Sequence, residues 1–234
     1  MNASDLILGM DLAALRRFDD HGHEPLSDEA VRHILQTCDA LWLHNGDMAR
    51  PHAELTSGRC SDGFVDVLRA LRYSTVCELL GQQLAMKIDQ IYKGRVDWVV
   101  GSDHAAATLS YEVAKYFLAM HDFTEKGPDK AQRWSRFEIQ QGEIVLQVEE
   151  LVTTSGTLQA VRDGLRQARP DELIAFAPLV ATLVNRSPLT HFDGVPIVSL
   201  ATYDIKSWAP EECPLCAAGS PRVRPKHNWA ALKV

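Results

Sequence analysis

Ile144-Val145-Leu146-Gln147-Val148-Glu149-Glu150-Leu151-Val152-Thr153-Thr154-Ser155-Gly156-Thr157 is the stretch on which the reading of this chain turns. Its apolar run has the character of a strand buried on both faces, as in a parallel sheet. Two adjacent carboxylates, Glu149 and Glu150, end the run, and a small hydroxyl-rich turn follows. Leu158, Val161, Leu165 and Ala168 then recur at helical spacing. Backbone N–H groups at a helix start are unpaired and attract anions. Carboxylates accept hydrogen bonds only from donors, such as vicinal sugar hydroxyls. A strand that delivers acids and then hydroxyls to a helix start suits a ligand with both sugar hydroxyls and a phosphate.

The flanking sequence alternates helix and strand. Ser27 reads as an N-cap with Asp28 and Glu29 in the first turn, followed by Val31, Ile34, Leu35 and Leu41 on one helical face. Residues 52–72 read as irregular strand and turn. Val76, Leu79, Leu80, Leu84, Ile88 and Ile91 have helical spacing, and Gly94 closes that run. Val96 to Gly101 reads as a buried strand, and Leu109, Val113, Tyr116, Phe117 and Met120 as a helical stripe. Residues 121–143 are polar, partly strand with a loop in the middle, and Leu173 to Val184 and Val195 to Leu200 are further strands. This order predicts an α/β fold, a parallel sheet covered by helices on both faces. Ligands on such sheets sit at the carboxyl ends of the strands, here Gly101-Ser102, Glu149-Glu150 and Asn185-Arg186.

The chain of 234 residues is 46% hydrophobic and 24% charged, ordinary for a globular protein. Its net charge of −7 argues against nonspecific nucleic-acid binding. It has no apolar run of the roughly 18 residues needed to span a bilayer, so no membrane partner is expected. The start, Met1-Asn2-Ala3-Ser4-Asp5, lacks the basic region of a signal peptide, and five cysteines make an odd count for a secreted disulfide framework. A cytoplasmic protein is the expectation. Neither Gly-x-x-x-x-Gly-Lys-Ser/Thr nor Gly-x-Gly-x-x-Gly occurs.

The segment Val148-Glu149-Glu150-Leu151-Val152-Thr153-Thr154-Ser155-Gly156-Thr157 resembles the phosphoribosyl pyrophosphate motif of type I phosphoribosyltransferases. Both acids are Glu, where the family usually has at least one Asp. The resemblance implies a central parallel sheet flanked by helices, with a small hood over the strands' carboxyl ends. It implies that Glu149 and Glu150 hold the ribose hydroxyls, and that Val152, Thr153, Thr154, Ser155, Gly156 and Thr157 surround the 5-phosphate. The turn Gly101-Ser102-Asp103-His104 stands where the family binds pyrophosphate, with Ala105-Ala106 where Gly-Gly is common. Mg²⁺ would bridge pyrophosphate and ribose oxygens, and would separate Asp103 from the phosphates. The stretch from Phe123 to Arg136 stands where the family carries a closing loop, and Lys126, Lys130, Arg133 and Arg136 are its cations. They would meet the charge that develops on departing pyrophosphate. No His lies within that stretch, unlike the loop of orotate phosphoribosyltransferases. A solvated surface loop is the plainer reading of the same residues.

Two segments resemble the orotate group in particular. Leu55-Thr56-Ser57-Gly58-Arg59-Cys60-Ser61 is similar to its hood segment, with Thr56 where a Lys often stands. Val184-Asn185-Arg186-Ser187 is similar to its Asp-Arg strand end. Ser57, Arg59, Phe64 and Arg186 are therefore the candidate base contacts, since a guanidinium fork suits a planar carboxylate. For Arg186 a surface ion pair is the alternative. The expected organisation is a single domain: a helical extension over 1–50, a hood segment over 51–72, an α/β core over 73–204 and an arm over 205–234. The family usually forms homodimers. The expected partners are phosphoribosyl pyrophosphate and a base, orotate favoured. A transferase for another base, and a regulator that binds phosphoribosyl pyrophosphate without turnover, are the other readings.

In the tail, Cys213-Pro214-Leu215-Cys216 supplies two ligands where a structural zinc wants about four. His227, Cys38, Cys60 or Cys77 would have to complete the set, and the segment is read as a metal-free turn. The same Cys-Pro-Leu-Cys recurs in a bacterial branch that resembles orotate phosphoribosyltransferases. Trp208 and Trp229 are read as anchors of an extended arm.

Overall fold

The computed structural model describes residues 2–18, 24–129, 131–170, 173–226 and 228–233. The first elements are helices α1 (Ala3–Leu8), α2 (Leu12–Leu15) and α3 (Asp28–Thr37). Short strands follow: β1 (Leu41–Leu43), β2 (His52–Glu54), β3 (Cys60–Ser61) and β4 (Gly63–Val65), then helices α4 (Leu68–Leu71) and α5 (Ser74–Ile91). The middle of the chain holds β5 (Trp98–Ser102), α6 (Ala105–Phe117), β6 (Met120–Lys126), β7 (Gln132–Arg133), β8 (Ile144–Val152) and α7 (Gly156–Ala168). Then come β9 (Ala175–Asn185), β10 (His191–Phe192), β11 (Val195–Thr202), β12 (Ser207–Trp208), α8 (Pro214–Ala217) and β13 (Arg222–Val223).

Seven strands form the main sheet in the order β10-β11-β9-β8-β5-β6-β7. The five inner strands are parallel, and the edge strands β10 and β7 run antiparallel to their neighbours. The period of two along each strand decides which layer a side chain joins. Val99, Leu146, Val148, Leu179, Ala181 and Leu183 face one way, into the core made with α3, α5 and α6. Trp98, Val100 and Val145 face the other way, against Val161 and Leu165 of α7. The sheet is covered on both faces, as the helix–strand alternation predicts. Among the described residues, no helix is long and apolar enough to cross a membrane.

Local chemistry sets the element ends. Ser27 Oγ accepts from the Ala30 backbone N–H at 3.2 Å and caps α3. Two expectations of helix fail at their last residue. Asp39 takes φ +60° and turns the chain after α3, so Leu41 opens β1 instead of extending the helical face. Leu118 takes φ +51° after α6, so Met120 opens β6. In both cases the apolar periodicity runs on past a backbone reversal.

A second sheet of four short strands, β12-β3-β2-β13, joins residues 52–61 to the C-terminal arm. Trp229 is buried and packs edge-to-face on Phe64 with centroids 5.8 Å apart, and the Arg69 guanidinium lies over its ring. Trp42 Nε1 donates to the Leu232 carbonyl at 2.9 Å.

Helix α7 approaches the β7 edge closely at Gly164. A Cβ there would sit 2.3 Å from the Gln132 carbonyl oxygen. Gly164→Ala is expected to cost about 1–3 kcal/mol by overpacking, measured by denaturant unfolding. An unchanged midpoint would mean that the β6–β7 hairpin yields freely.

Candidate active site

The strand order reverses between β5 and β8. From that line the chain winds out through β6 on one side and through β9 and β11 on the other. Ligand crevices of open α/β sheets form at such a switch point, beyond the carboxyl ends of the strands. β5 ends at Ser102, whereas β8 runs past the two acids, expected to close it, to Val152, so that Glu149 and Glu150 stand in its last four residues. Ser102 Oγ donates to Glu149 Oε2 at 2.9 Å, so the two strand ends are joined directly. Glu149 is 1% exposed, and its Oε1 has no partner; Glu150 Oε2 is likewise buried without one. Burial, and then the Glu150 charge, push the Glu149 carboxyl well above the usual carboxylate range. Burial also raises Glu150. Buried acids with unused acceptor atoms are stabilised by whatever brings hydroxyl donors or a cation.

Each of these strands runs into a helix whose N-cap side chain makes no capping bond, although the Thr154 hydroxyl accepts from the Gly156 N–H at 3.4 Å before α7. His104 precedes α6 and Ser155 precedes α7, and neither makes a capping bond. The first-turn N–H groups of two helices therefore face one crevice edge with the positive ends of their dipoles. Thr153, Thr154, Gly156 and Thr157 are exposed there and Ser155 is half-buried. Val152 differs: its side chain joins Leu158, Val180 and Phe192 in the core, and only its backbone borders the turn.

The turn after β5 is backbone-limited. A Cβ on Gly101 would lie 2.6 Å from the Ala106 carbonyl oxygen, so the residue type is set by the approach of α6. His104 has φ +64° and ψ −118°, which costs a non-glycine residue about 1–3 kcal/mol. Its ring is exposed, with Nε2 3.5 Å from Asp103 Oδ2. Asp103 Oδ1 accepts from Gln132 Nε2 at 3.3 Å. Sequence reading missed Gln132, because nothing local marks a buried glutamine on a two-residue edge strand as a neighbour of the turn.

Arg186 follows β9, and its backbone N–H donates to the Val152 carbonyl at 3.0 Å, which places it beside the hydroxyl turn. Its Nε is buried without a partner, and burial alone pulls its pKa below the usual guanidinium value. No carboxylate pairs with it among the described residues. Asn185 shapes the loop: its Oδ1 accepts from the Ser187 backbone N–H and hydroxyl, and its Nδ2 donates to the Leu189 carbonyl.

The other candidates lie on the neighbouring hairpin, where Thr124 pairs with Ser102, and on and around the small sheet. The stretch from Phe123 to Arg136 is an edge hairpin rather than a loop throughout, with β6 and β7 paired through Glu125 and Arg133. Arg133 binds Asp129 at 2.8 Å, and Arg136 binds Asp122 and Glu125 while lying over the Phe123 ring. Lys126 is exposed, with no carboxylate partner among the described residues. Lys130 lies outside the described residues. Ser57 is exposed in the turn between β2 and β3, and Arg59 Nη2 donates to the Ser207 carbonyl at 2.8 Å. Phe64 is turned into the small sheet's own core against Trp229.

An orotate phosphoribosyltransferase from Caldicellulosiruptor bescii is 34% identical over 175 residues, which cover 74% of this chain and 87% of that protein. The chain belongs to the orotate phosphoribosyltransferase family. The family member from Caldanaerobacter subterraneus is 35% identical over the same shares of both chains. The crystal structure of orotate phosphoribosyltransferase from Aeropyrum pernix has the same fold, with a TM-score of 0.53 at 19% identity over 72% of this chain and 91% of that one. No family model matches the chain. The type I phosphoribosyltransferase fold expected from residues 144–157 is thus the fold of the chain.

Proposed function

We infer that the protein transfers the ribose 5-phosphate group from phosphoribosyl pyrophosphate to orotate, giving orotidine 5'-phosphate and pyrophosphate in pyrimidine biosynthesis. The observation that carries this is the pair Glu149, buried, and Glu150, half-buried, each with a buried unpartnered oxygen, on the strand that leads through the hydroxyl turn into α7. In this reading the two carboxylates accept the ribose hydroxyls. The backbone and hydroxyls of Thr153 to Thr157 bind the 5-phosphate at the α7 dipole. Gly101 to His104 hold pyrophosphate through the backbone before α6. The Arg186 guanidinium, with no carboxylate partner among the described residues, binds the planar carboxylate of the base. Ser57, Arg59 and Phe64 belong to the hood that covers that base.

The reaction breaks the anomeric C–O bond, whose electron pair leaves on pyrophosphate, and forms the C–N bond to the base. Positive charge grows on the sugar in between. Fixing both reactants at the strand ends supplies most of the advantage by making the encounter intramolecular. Lys126 is the described hairpin cation free to meet departing pyrophosphate, and Lys130 is its candidate companion. Arg133 and Arg136 would first have to leave Asp129, Asp122 and Glu125. The donor set at the strand ends, Asp103, Glu149 and Glu150, is all oxygen and carries unpartnered carboxylate atoms, which fits a hard ion such as Mg²⁺. Bound there with the substrate, Mg²⁺ would neutralise charge on pyrophosphate and ribose oxygens. Exposed Tyr111, Tyr116, Leu118 and Met120 on and after α6 support a homodimer contact on that side.

The test is pyrophosphate release from phosphoribosyl pyrophosphate and Mg²⁺ with orotate, then with other bases. Orotate-dependent release is expected. Release with a different base would keep the chemistry and change the acceptor. Tight binding without release for any base would instead fit a non-catalytic regulator.

A further inference from the structure

His52 of β2 and Cys60 of β3 come together with Cys213 and Cys216 of the tail's Cys-Pro-Leu-Cys segment. Cys213 Sγ lies 3.8 Å and Cys216 Sγ 3.4 Å from His52 Nε2, and Cys60 Sγ lies 3.5 Å from Cys216 Sγ. All four donor atoms lie within 4.8 Å of one another. Ligands at about 2.0–2.3 Å from a tetrahedral zinc stand about 3.5–3.8 Å apart, so the three short separations are those of a tetrahedral coordination shell rather than a disulfide.

The imidazole is oriented for this role. His52 is fully buried, and its Nδ1 lies 2.8 Å from Ser220 Oγ. That hydroxyl gives its single proton to the Arg50 carbonyl at 2.6 Å. It can therefore only accept from His52, so Nδ1 carries the ring proton and Nε2 turns a bare lone pair toward the sulfurs. A histidine ligand held by a hydrogen bond from its other nitrogen is the usual arrangement around a metal. The thiols are prepared too, since the Cys216 backbone N–H points at Cys213 Sγ at 3.5 Å. Cys38 and Cys77, the other cysteines considered from sequence, are buried in the main core instead. His227 lies outside the described residues.

We propose that His52, Cys60, Cys213 and Cys216 bind one structural Zn²⁺ that clips the C-terminal arm to the small sheet. Three thiolates and an imidazole select a soft or borderline ion over Mg²⁺, and four protein ligands close the shell against solvent chemistry. Binding forms three Zn–S bonds and one Zn–N bond and releases three thiol protons. The site then carries one net negative charge, and Arg222, paired with Glu54 at 2.9 Å, stands beside His52 across the β2–β13 pair. The metal replaces the metal-free turn expected from the two cysteines of the tail. If the orotate reading holds, the ion also fixes both ends of the turn that bears Ser57 and Arg59, because His52 and Cys60 flank that turn.

Elemental analysis of the purified full chain is expected to find about one zinc per chain. A thiol-reactive mercurial should release it in proportion to the thiols modified. His52→Ala and Cys216→Ser should each lower bound zinc at least about tenfold, while Cys77→Ser keeps it. Should those variants fail to fold, Co²⁺ added to metal-stripped wild-type protein gives the independent readout. Intense tetrahedral bands with thiolate charge transfer are expected. Zinc retained in the His52→Ala, Cys216→Ser double variant, iron found in its place, or Co²⁺ with no thiolate bands would each overturn the assignment. All these readouts are independent of the acceptor base, so they stand or fall apart from the transferase assay.

Discussion

Glu149→Gln combined with Glu150→Gln is expected to leave a folded protein whose affinity for phosphoribosyl pyrophosphate has fallen by about 10²- to 10³-fold, since each charged hydrogen bond lost is worth about 1.5–3 kcal/mol and the two are not fully additive. Glutamine keeps the shape of the side chain but offers one neutral acceptor and a competing donor. Titration calorimetry with phosphoribosyl pyrophosphate measures the loss, and an unchanged affinity would sink the ribose assignment. The same variant is expected to melt higher than the wild type when neither holds ligand. Both carboxyls have folded pKa values above their ordinary 4.5. Their protonated forms contribute stability that is fully present below that value and is lost as pH rises through the raised folded values. Glutamine does not titrate and loses nothing. The advantage of the variant should therefore appear at about pH 7 and vanish at about pH 4. Equal melting temperatures at both pH values would mean that the acids are not held at a cost in the empty site.

Arg186→Ala is expected to raise the KM for orotate by about 10- to 150-fold, the worth of a charge-assisted hydrogen bond of about 1.5–3 kcal/mol. The KM for phosphoribosyl pyrophosphate should stay within about twofold, because the guanidinium is assigned to the base alone. Steady-state kinetics with each substrate varied in turn separates the two. Equal losses would move Arg186 out of the base pocket and toward the sugar phosphate. The stability cost should be small, since no ion pair is broken and a buried, unpartnered Nε is removed.

The parts of the site legible in the sequence are those whose chemistry is contiguous. Residues 144–157 hold strand, acids, turn and helix start in one run, and the structure keeps that order while carrying the strand two residues past the acids to Val152. Ser27 announced α3 in the same local way. What the sequence hid are pairings across long loops. Gln132 reaches Asp103 only because β7 folds back on β6, and His52 meets Cys213 and Cys216 across more than half the chain. Leu41 and Met120 show a different limit, because periodicity has no term for a residue forced to positive φ at Asp39 or Leu118. The hairpin cations show a third. Their positive charge was visible, but Asp129, Asp122 and Glu125, which neutralise Arg133 and Arg136, become partners only once the hairpin is closed.

Strand β2 takes β13 as its neighbour, with His52 beside Arg222. On a ribosome, the strands from β5 to β11 emerge and can pack while β13 is still unsynthesised. Until it arrives, β2 presents an open backbone edge, the kind of surface that recruits foreign strands. The small sheet is accordingly completed late, and its β2–β13 pair is the longest-range strand pairing among the described residues. A nascent or clipped chain that lacks the arm would carry a finished main sheet beside a sticky, half-built small one, and its hazard would be aggregation.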